Sequence, residues 1–248
     1  MGNAEKPLIS IVTVCFNAVG SIKKTILSVL RQNYKDIEYI IVDGMSTDGT
    51  YEIVKGFENR ICIIHEKDAG IYDAMNKGVL KATGEYVYFL NSGDMLKGVN
   101  TISNIVNWLG EDRPDLICGN VNYIYGKQKQ VLRRYFKHHR LNMFCMAAGW
   151  STCHQAVLCN TKFFREKLFD TSYILWADQE LFAYLLKKEC SVKYVDEIIC
   201  DFDGFGFSYG SDNLQLSRTE CDRINKEYNN IWRYLFYLPK WIIRKIYF

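Results

Sequence analysis

Three short segments of this chain place carboxylates where the backbone changes direction, and each could do chemistry. Ile41-Val42-Asp43-Gly44-Met45-Ser46-Thr47-Asp48-Gly49-Thr50 leaves an apolar run, crosses a glycine-rich turn and enters a helical pattern. A carboxylate at such a strand end can accept hydrogen bonds from a base or a ribose, and glycines let a ligand approach the backbone closely. Ser46 to Asp48 also suit a helix cap, a reading that leaves Asp43 without a role. Leu90-Asn91-Ser92-Gly93-Asp94 is a tight polar turn in which Asp94 is a candidate ligand for a divalent cation, with phosphate and water completing the shell. A plain turn would use the same Ser-Gly-Asp residues. In Trp176-Ala177-Asp178-Gln179-Glu180, Asp178 can take a proton from an incoming hydroxyl, or simply favour the first turn of a helix.

The elements that must position these groups follow from hydrophobic periodicity. Leu8 to Phe16 is a nearly continuous β-branched run of the kind buried on both faces of a parallel sheet, and it stops at Asn17. Ser21 to Gln32 has helical spacing, Ile37 to Val42 reads as a second strand, and a helix opens near Ser46 to Asp48. The rhythm repeats with a strand at Ile61 to His65, a helix over 71–81 and a strand at Tyr86 to Leu90. Four parallel strands in the first hundred residues put ligands beyond their carboxyl ends, at Asn17, Asp43, Asp68 and the Asn91 to Asp94 turn. Later come strands at Leu116 to Tyr125 and Val131 to Phe136 around a Gly126-Lys127 turn, helical spacing at Phe163 to Leu168 and Asp178 to Leu186, and short strands near Val192 and Ile198.

The five segments in this order resemble the family 2 glycosyltransferases of the GT-A fold. The matching runs are Ile9 to Asn17, Ser28 to Gln32, Ile40 to Gly49, Asp68-Ala69-Gly70-Ile71-Tyr72-Asp73-Ala74-Met75-Asn76-Lys77-Gly78 and Gly84 to Asp94. The branch they resemble builds bacterial capsule, O-antigen or exopolysaccharide repeat units. The resemblance implies an α/β chain with a Rossmann-like, mostly parallel sheet flanked by helices. It implies inverting transfer of a sugar from a nucleotide-sugar, a UDP-sugar first, to a glycan or polyprenyl-diphosphate-linked acceptor. It also implies a divalent cation, Mn2+ or Mg2+. By the same resemblance Asn17, Asp43 and Asp68 contact the nucleoside, and Tyr72, Asn76, Lys77, Ser92 and Gly93 line the donor pocket. Asp94 holds the metal, Asp178 is the base, and His154 with Gln155 lies near the acceptor and sugar. The family commonly shows Asp-x-Asp at the metal turn, where this chain has Asn91 and Gly93 in positions that are often acidic. Two rivals stand beside this reading: a catalytically weak sugar-nucleotide-binding assembly subunit, and a nucleotidyltransferase. The second wants a basic loop after the first strand, which Asn17-Ala18-Val19-Gly20-Ser21 does not supply.

Composition sets the outer bounds. The 248 residues are 48% hydrophobic with three prolines, which excludes a disordered chain, and a net charge of +3 argues against a nucleic-acid partner. Nine cysteines without a C-x-x-C pair read as reduced thiols in a cytosolic protein. Neither a leader-like apolar segment nor eighteen uninterrupted apolar residues occurs. We expect one domain over residues 1–230, with residues 1–100 as the nucleotide-sugar half and 101–230 as the acceptor side. Gly204-Phe205-Gly206-Phe207-Ser208 reads as a flexible loop able to close over the donor. Residues 231–248 mix aromatic and aliphatic side chains with Arg233, Lys240, Arg244 and Lys245 around Pro239. That composition suits peripheral attachment to an anionic inner membrane face, or packing on the domain itself or on a second copy in a homodimer.

Overall fold

The computed structural model describes residues 6–125, 130–134, 141–143, 146, 152–203 and 213–230. The expected Gly126-Lys127 turn, the Gly204 to Ser208 loop and the 231–248 tail lie outside the described residues.

The seven residues of β1 (Ile9–Cys15) are all buried, as a continuous β-branched run requires. It pairs in parallel with β2 (Ile37–Asp43) on one side and β4 (Tyr86–Phe89) on the other, and β2 pairs in parallel with β3 (Cys62–His65). The crossovers are α1 (Ile22–Leu30), α2 (Thr50–Lys55) and α3 (Ile71–Lys81). The sheet continues past β4 with β8 (Val157–Asn160), β6 (Leu116–Tyr125), β9 (Val192–Asp203) and β5 (Met95–Leu96), while β7 (Gln130–Arg134) pairs with β6. The β4–β8, β8–β6, β6–β7 and β9–β5 pairs are antiparallel, so the later part of the sheet is mixed.

Alternation along each strand feeds two cores. Ile9, Ile11 and Ile41 face α1, α2 and α4 (Thr101–Leu109) through Ile22, Ile26, Val54, Ile102 and Ile105. Val12, Val14, Ile40 and Val42 face α3, α5 (Lys162–Glu166), α6 (Ala177–Lys187) and α7 (Leu214–Glu227) through Met75, Val79, Phe163, Leu181 and Ile224. α3 lies so close to β1 that a Cβ on Gly78 would stand 2.3 Å from Val12 Cγ1.

Two expected elements differ. The helix expected near Ser46 to Asp48 starts at Thr50, because Ser46 Oγ accepts from the Asn17 amide at 2.9 Å and Asp48 Oδ2 from the Val19 amide at 3.0 Å. These side chains sew two loops together, and Asp48 Oδ1 also accepts from the Thr50 amide at 3.0 Å where the helix begins. The short strands near Val192 and Ile198 are one strand, β9. Its register on β6 shifts around Cys118, Asn120 and Val121, and a Cβ on Gly119 would meet Ile199 Cδ1 at 2.7 Å. The polar break at Asp196 and Glu197 marks that bulge.

The eight described cysteines are free. Burial pushes the Cys118, Cys153, Cys159 and Cys200 thiols up, so none of these four is primed as a nucleophile. No helix among the described residues is long and apolar enough to cross a membrane.

Candidate active site

Strand ends open onto a cavity of about 820 Å³. Phe16, Asp68, the Asn91 to Asp94 turn, His154, Gln155, Trp176 and Asp178 are among the residues that line it. The parallel half and the mixed half thus each supply a wall, which is where an open α/β sheet binds ligands.

Asp178 stands in the first turn of α6 with four donors around it. Its Oδ1 accepts from the Gln179 amide at 2.8 Å and lies 3.4 Å from the Tyr72 hydroxyl. Its Oδ2 accepts from Gln179 Nε2 at 3.2 Å and from His154 Nδ1 at 3.0 Å. The Asn91 amide nitrogen donates to His154 Nε2 at 3.1 Å, which leaves the ring proton on Nδ1, facing Asp178. Burial and the neighbouring Asp178 push the Tyr72 hydroxyl well above its ordinary range, so Tyr72 stays a donor, chiefly to the Leu175 carbonyl at 2.7 Å.

Asp94 is held from two sides. Oδ1 accepts from the Asp203 amide at 2.9 Å and Oδ2 from Gln155 Nε2 at 3.2 Å. Thr25 fixes the turn itself, donating to the Asp94 carbonyl at 2.8 Å and accepting from the Gly93 amide at 3.1 Å. Burial pushes the Asp94 carboxyl up to about 7, against the opposing pull of the Asp203 amide, the His154 ring and the Gln155 amide. The short turn at His154–Ala156 therefore links the two carboxylates: His154 reaches Asp178, and Gln155 reaches Asp94.

The donor set fits a hard divalent cation that takes most of its ligands from a substrate diphosphate. Asp94 and Asp203 both line the cavity, a Cβ on Gly93 would lie 3.6 Å from Asp203 Oδ2, and the buried Asn91 Oδ1 has no hydrogen-bond partner. All of these are oxygens, as Mg2+ or Mn2+ prefers. No group of three acidic, histidine or cysteine side chains converges among the described residues, so protein alone does not complete a shell.

Asp68, Tyr72, Ser92, Gly93, Asp94, His154, Gln155 and Asp178 all line the cavity, while Asn17, Asp43, Asn76 and Lys77 do not. Asp43 is fully buried, and its oxygens are taken by His65 Nδ1 at 2.6 Å, Ser46 Oγ at 2.5 Å and the Ser46 amide at 3.1 Å. It braces the strand end, while Gly44 beside it lets Asp68 approach: a Cβ there would lie 2.3 Å from Asp68 Oδ2. Asn17, at φ 49°, accepts from the Thr47 amide and joins the loops. Asn76 uses both amide atoms on the Phe169 backbone, at 2.9 Å each, and Lys77 pairs with Glu66 at 3.1 Å and Asp73 at 3.5 Å. Asp203 and His65 were missed from sequence. Asp203 carried one usable signal, its place at the carboxyl end of a strand; His65 carried none without the β2–β3 register.

The Glycosyl transferase family 2 model matches residues 10–170. A PGL/p-HBAD biosynthesis glycosyltransferase of Mycobacterium tuberculosis is 30% identical over 217 residues, 81% of this chain and 78% of that protein. The putative teichuronic acid biosynthesis glycosyltransferase TuaG of Bacillus subtilis is 43% identical over 96 residues, 37% of this chain and 38% of its own length. Among solved structures, the mannosyltransferase PcManGT of Pyrobaculum calidifontis, in complex with GDP-Man and Mn2+, superposes with a TM-score of 0.69 at 16% identity. That match covers 93% of this chain and 70% of the other. S. aureus TarS 1-349 in complex with UDP-GlcNAc superposes at 0.63 with 16% identity, covering 91% and 72%. At such identity these structures speak for the fold, a mixed α/β sheet flanked by helices, whereas the family match spans both the Asp94 turn and the His154-Gln155 pair. The chain belongs to glycosyl transferase family 2.

Proposed function

We propose that this protein transfers a sugar, with inversion, from a nucleotide-sugar donor to a hydroxyl of a glycan or polyprenyl-diphosphate-linked acceptor in cell-surface polysaccharide synthesis. The observation that carries the reading is that Asp178 and Asp94 border one cavity and are tied together through His154 and Gln155. Asp178 removes the proton of the acceptor hydroxyl, whose oxygen forms the new bond to the anomeric carbon. The bond from that carbon to the nucleoside diphosphate breaks on the opposite face, and the diphosphate leaves with the electron pair. Asp94 and Asp203 would hold a divalent cation, whose charge would offset the charge that develops on the leaving group. Asp68 and the Ser92-Gly93 backbone meet the nucleotide, Phe16 stands exposed beside them, and Asp43 keeps the strand end in shape.

UDP is the proposed carrier and a hexose or N-acetylhexosamine the proposed sugar, supported by folds solved with UDP-GlcNAc and GDP-Man. O-antigen or capsule repeat units are the proposed setting. The aromatic and basic tail over 231–248 supports a cytoplasmic location with peripheral attachment at the inner membrane face. A chain ending at Asn230 that still sediments with anionic vesicles would remove that part of the reading.

A thermal-shift panel of UDP, GDP, dTDP and CMP, with and without manganese, tests the donor side, because a ligand of the folded state alone raises apparent stability. The reading predicts a manganese-dependent rise with one diphosphate. No rise with any of them would favour an assembly subunit without donor chemistry.

A further inference from the structure

Three consecutive backbone N–H groups outside any helix or strand converge on one buried carboxylate. Glu220, on α7 and 5% exposed, accepts from the Ile174 amide at 2.7 Å through Oε1. Through Oε2 it accepts from the Leu175 amide at 2.9 Å and the Trp176 amide at 3.0 Å. One helical turn earlier, Ser217 Oγ accepts from the Trp176 ring nitrogen at 3.0 Å. Ile174, Leu175 and Trp176 line the cavity, and Ile174 is held there half exposed. The same three residues lead straight into α6, where the Trp176 carbonyl accepts from the Glu180 amide at 2.9 Å, and Asp178 follows two positions later. The Leu175 carbonyl takes the Tyr72 hydroxyl, which also reaches Asp178.

We propose that Glu220 is a positioning residue that sets the acceptor wall of the cavity and, through the start of α6, the aim of Asp178. Three N–H donors need a strong acceptor with two oxygens, and an ionised carboxylate supplies both at once. Without it, three donors in a row would be left unpaired next to the reacting centre. A neutral amide of the same shape turns one oxygen into an NH2 group that faces an N–H and cannot accept from it. Glu220 touches neither donor nor acceptor, so its loss acts on turnover through geometry alone.

The proposal rests on the transfer reading of Asp178, and the test separates the two. Glu220→Gln and wild type are compared for release of nucleoside diphosphate from UDP-GlcNAc and GDP-Man with manganese, and for amide hydrogen exchange over 172–178. The expected result is a kcat about ten- to a hundredfold lower, a donor KM within about twofold of wild type, and faster exchange confined to 174–176. Unchanged kcat, or kcat and donor affinity lost together, overturns the positioning role. Should Glu220→Gln fail to fold, wild-type exchange decides alone: amides of 174–176 protected like those of β1 support the proposal, and freely exchanging ones overturn it. A wild type that releases no diphosphate while these amides are protected counts against the transfer reading and not against Glu220.

Discussion

His154 Nδ1 lies 3.0 Å from Asp178 Oδ2, and the Asn91 amide on the far side of the ring fixes the proton toward the carboxylate. If Asp178 is the base, as proposed, the ring orients it without competing for the acceptor proton. His154→Ala should therefore lower kcat about tenfold, the value of one hydrogen bond to a charged group, with donor KM unchanged. Steady-state kinetics with saturating donor would show it, and a variant with wild-type kcat would remove His154 from this role.

Asp94 gives a pH prediction for stability. Its folded pKa near 7 lies above the unfolded value of 3.8, so between these limits the folded state binds more protons. Stability falls as pH rises through that window, by on the order of 4 kcal/mol in full, because the buried carboxyl must ionise. Below the window the cost is absent. Asp94→Asn should flatten this slope in urea unfolding with EDTA present. Manganese with UDP should stabilise wild type at pH 8 far more than at pH 5.

Gly44→Ala should act on the donor side alone. The new Cβ would stand 2.3 Å from Asp68 Oδ2, the end of a side chain that can swing away. Displaced, Asp68 would lose the hydrogen bond proposed for it to the nucleoside, expected to cost about tenfold in affinity for UDP by calorimetry. Equal UDP affinity in this variant would mean that Asp68 does not contact the nucleotide.

The parallel half of the fold was legible because doubly buried strands read as unbroken β-branched runs, and their ends name the ligand side. Asp94 and Asp178 were legible for the same reason: each sits where a strand ends or a helix begins. Asp43 also ends a strand, yet its carboxylate points at His65, its partner in the β2–β3 register, and sequence spacing does not reveal such a pair. Asn76 shows the same limit, since its partner Phe169 is 93 residues away. Glu220 looks like any polar helix residue until the fold brings Ile174 to Trp176 against it. Buried polar groups satisfied over long separations leave no periodic trace.

Nucleoside diphosphate release from a nucleotide-sugar tests most directly whether Asp178 activates the attacking hydroxyl beside a donor held at Asp94. Wild type, Asp178→Asn and Asp94→Asn would be assayed with manganese and with EDTA, alongside UDP binding. The account predicts release by wild type that EDTA abolishes, and at least a hundredfold loss in Asp178→Asn with UDP binding intact. Asp94→Asn should lose release and the manganese dependence of UDP binding together. Turnover by Asp178→Asn at the wild-type rate would contradict the account.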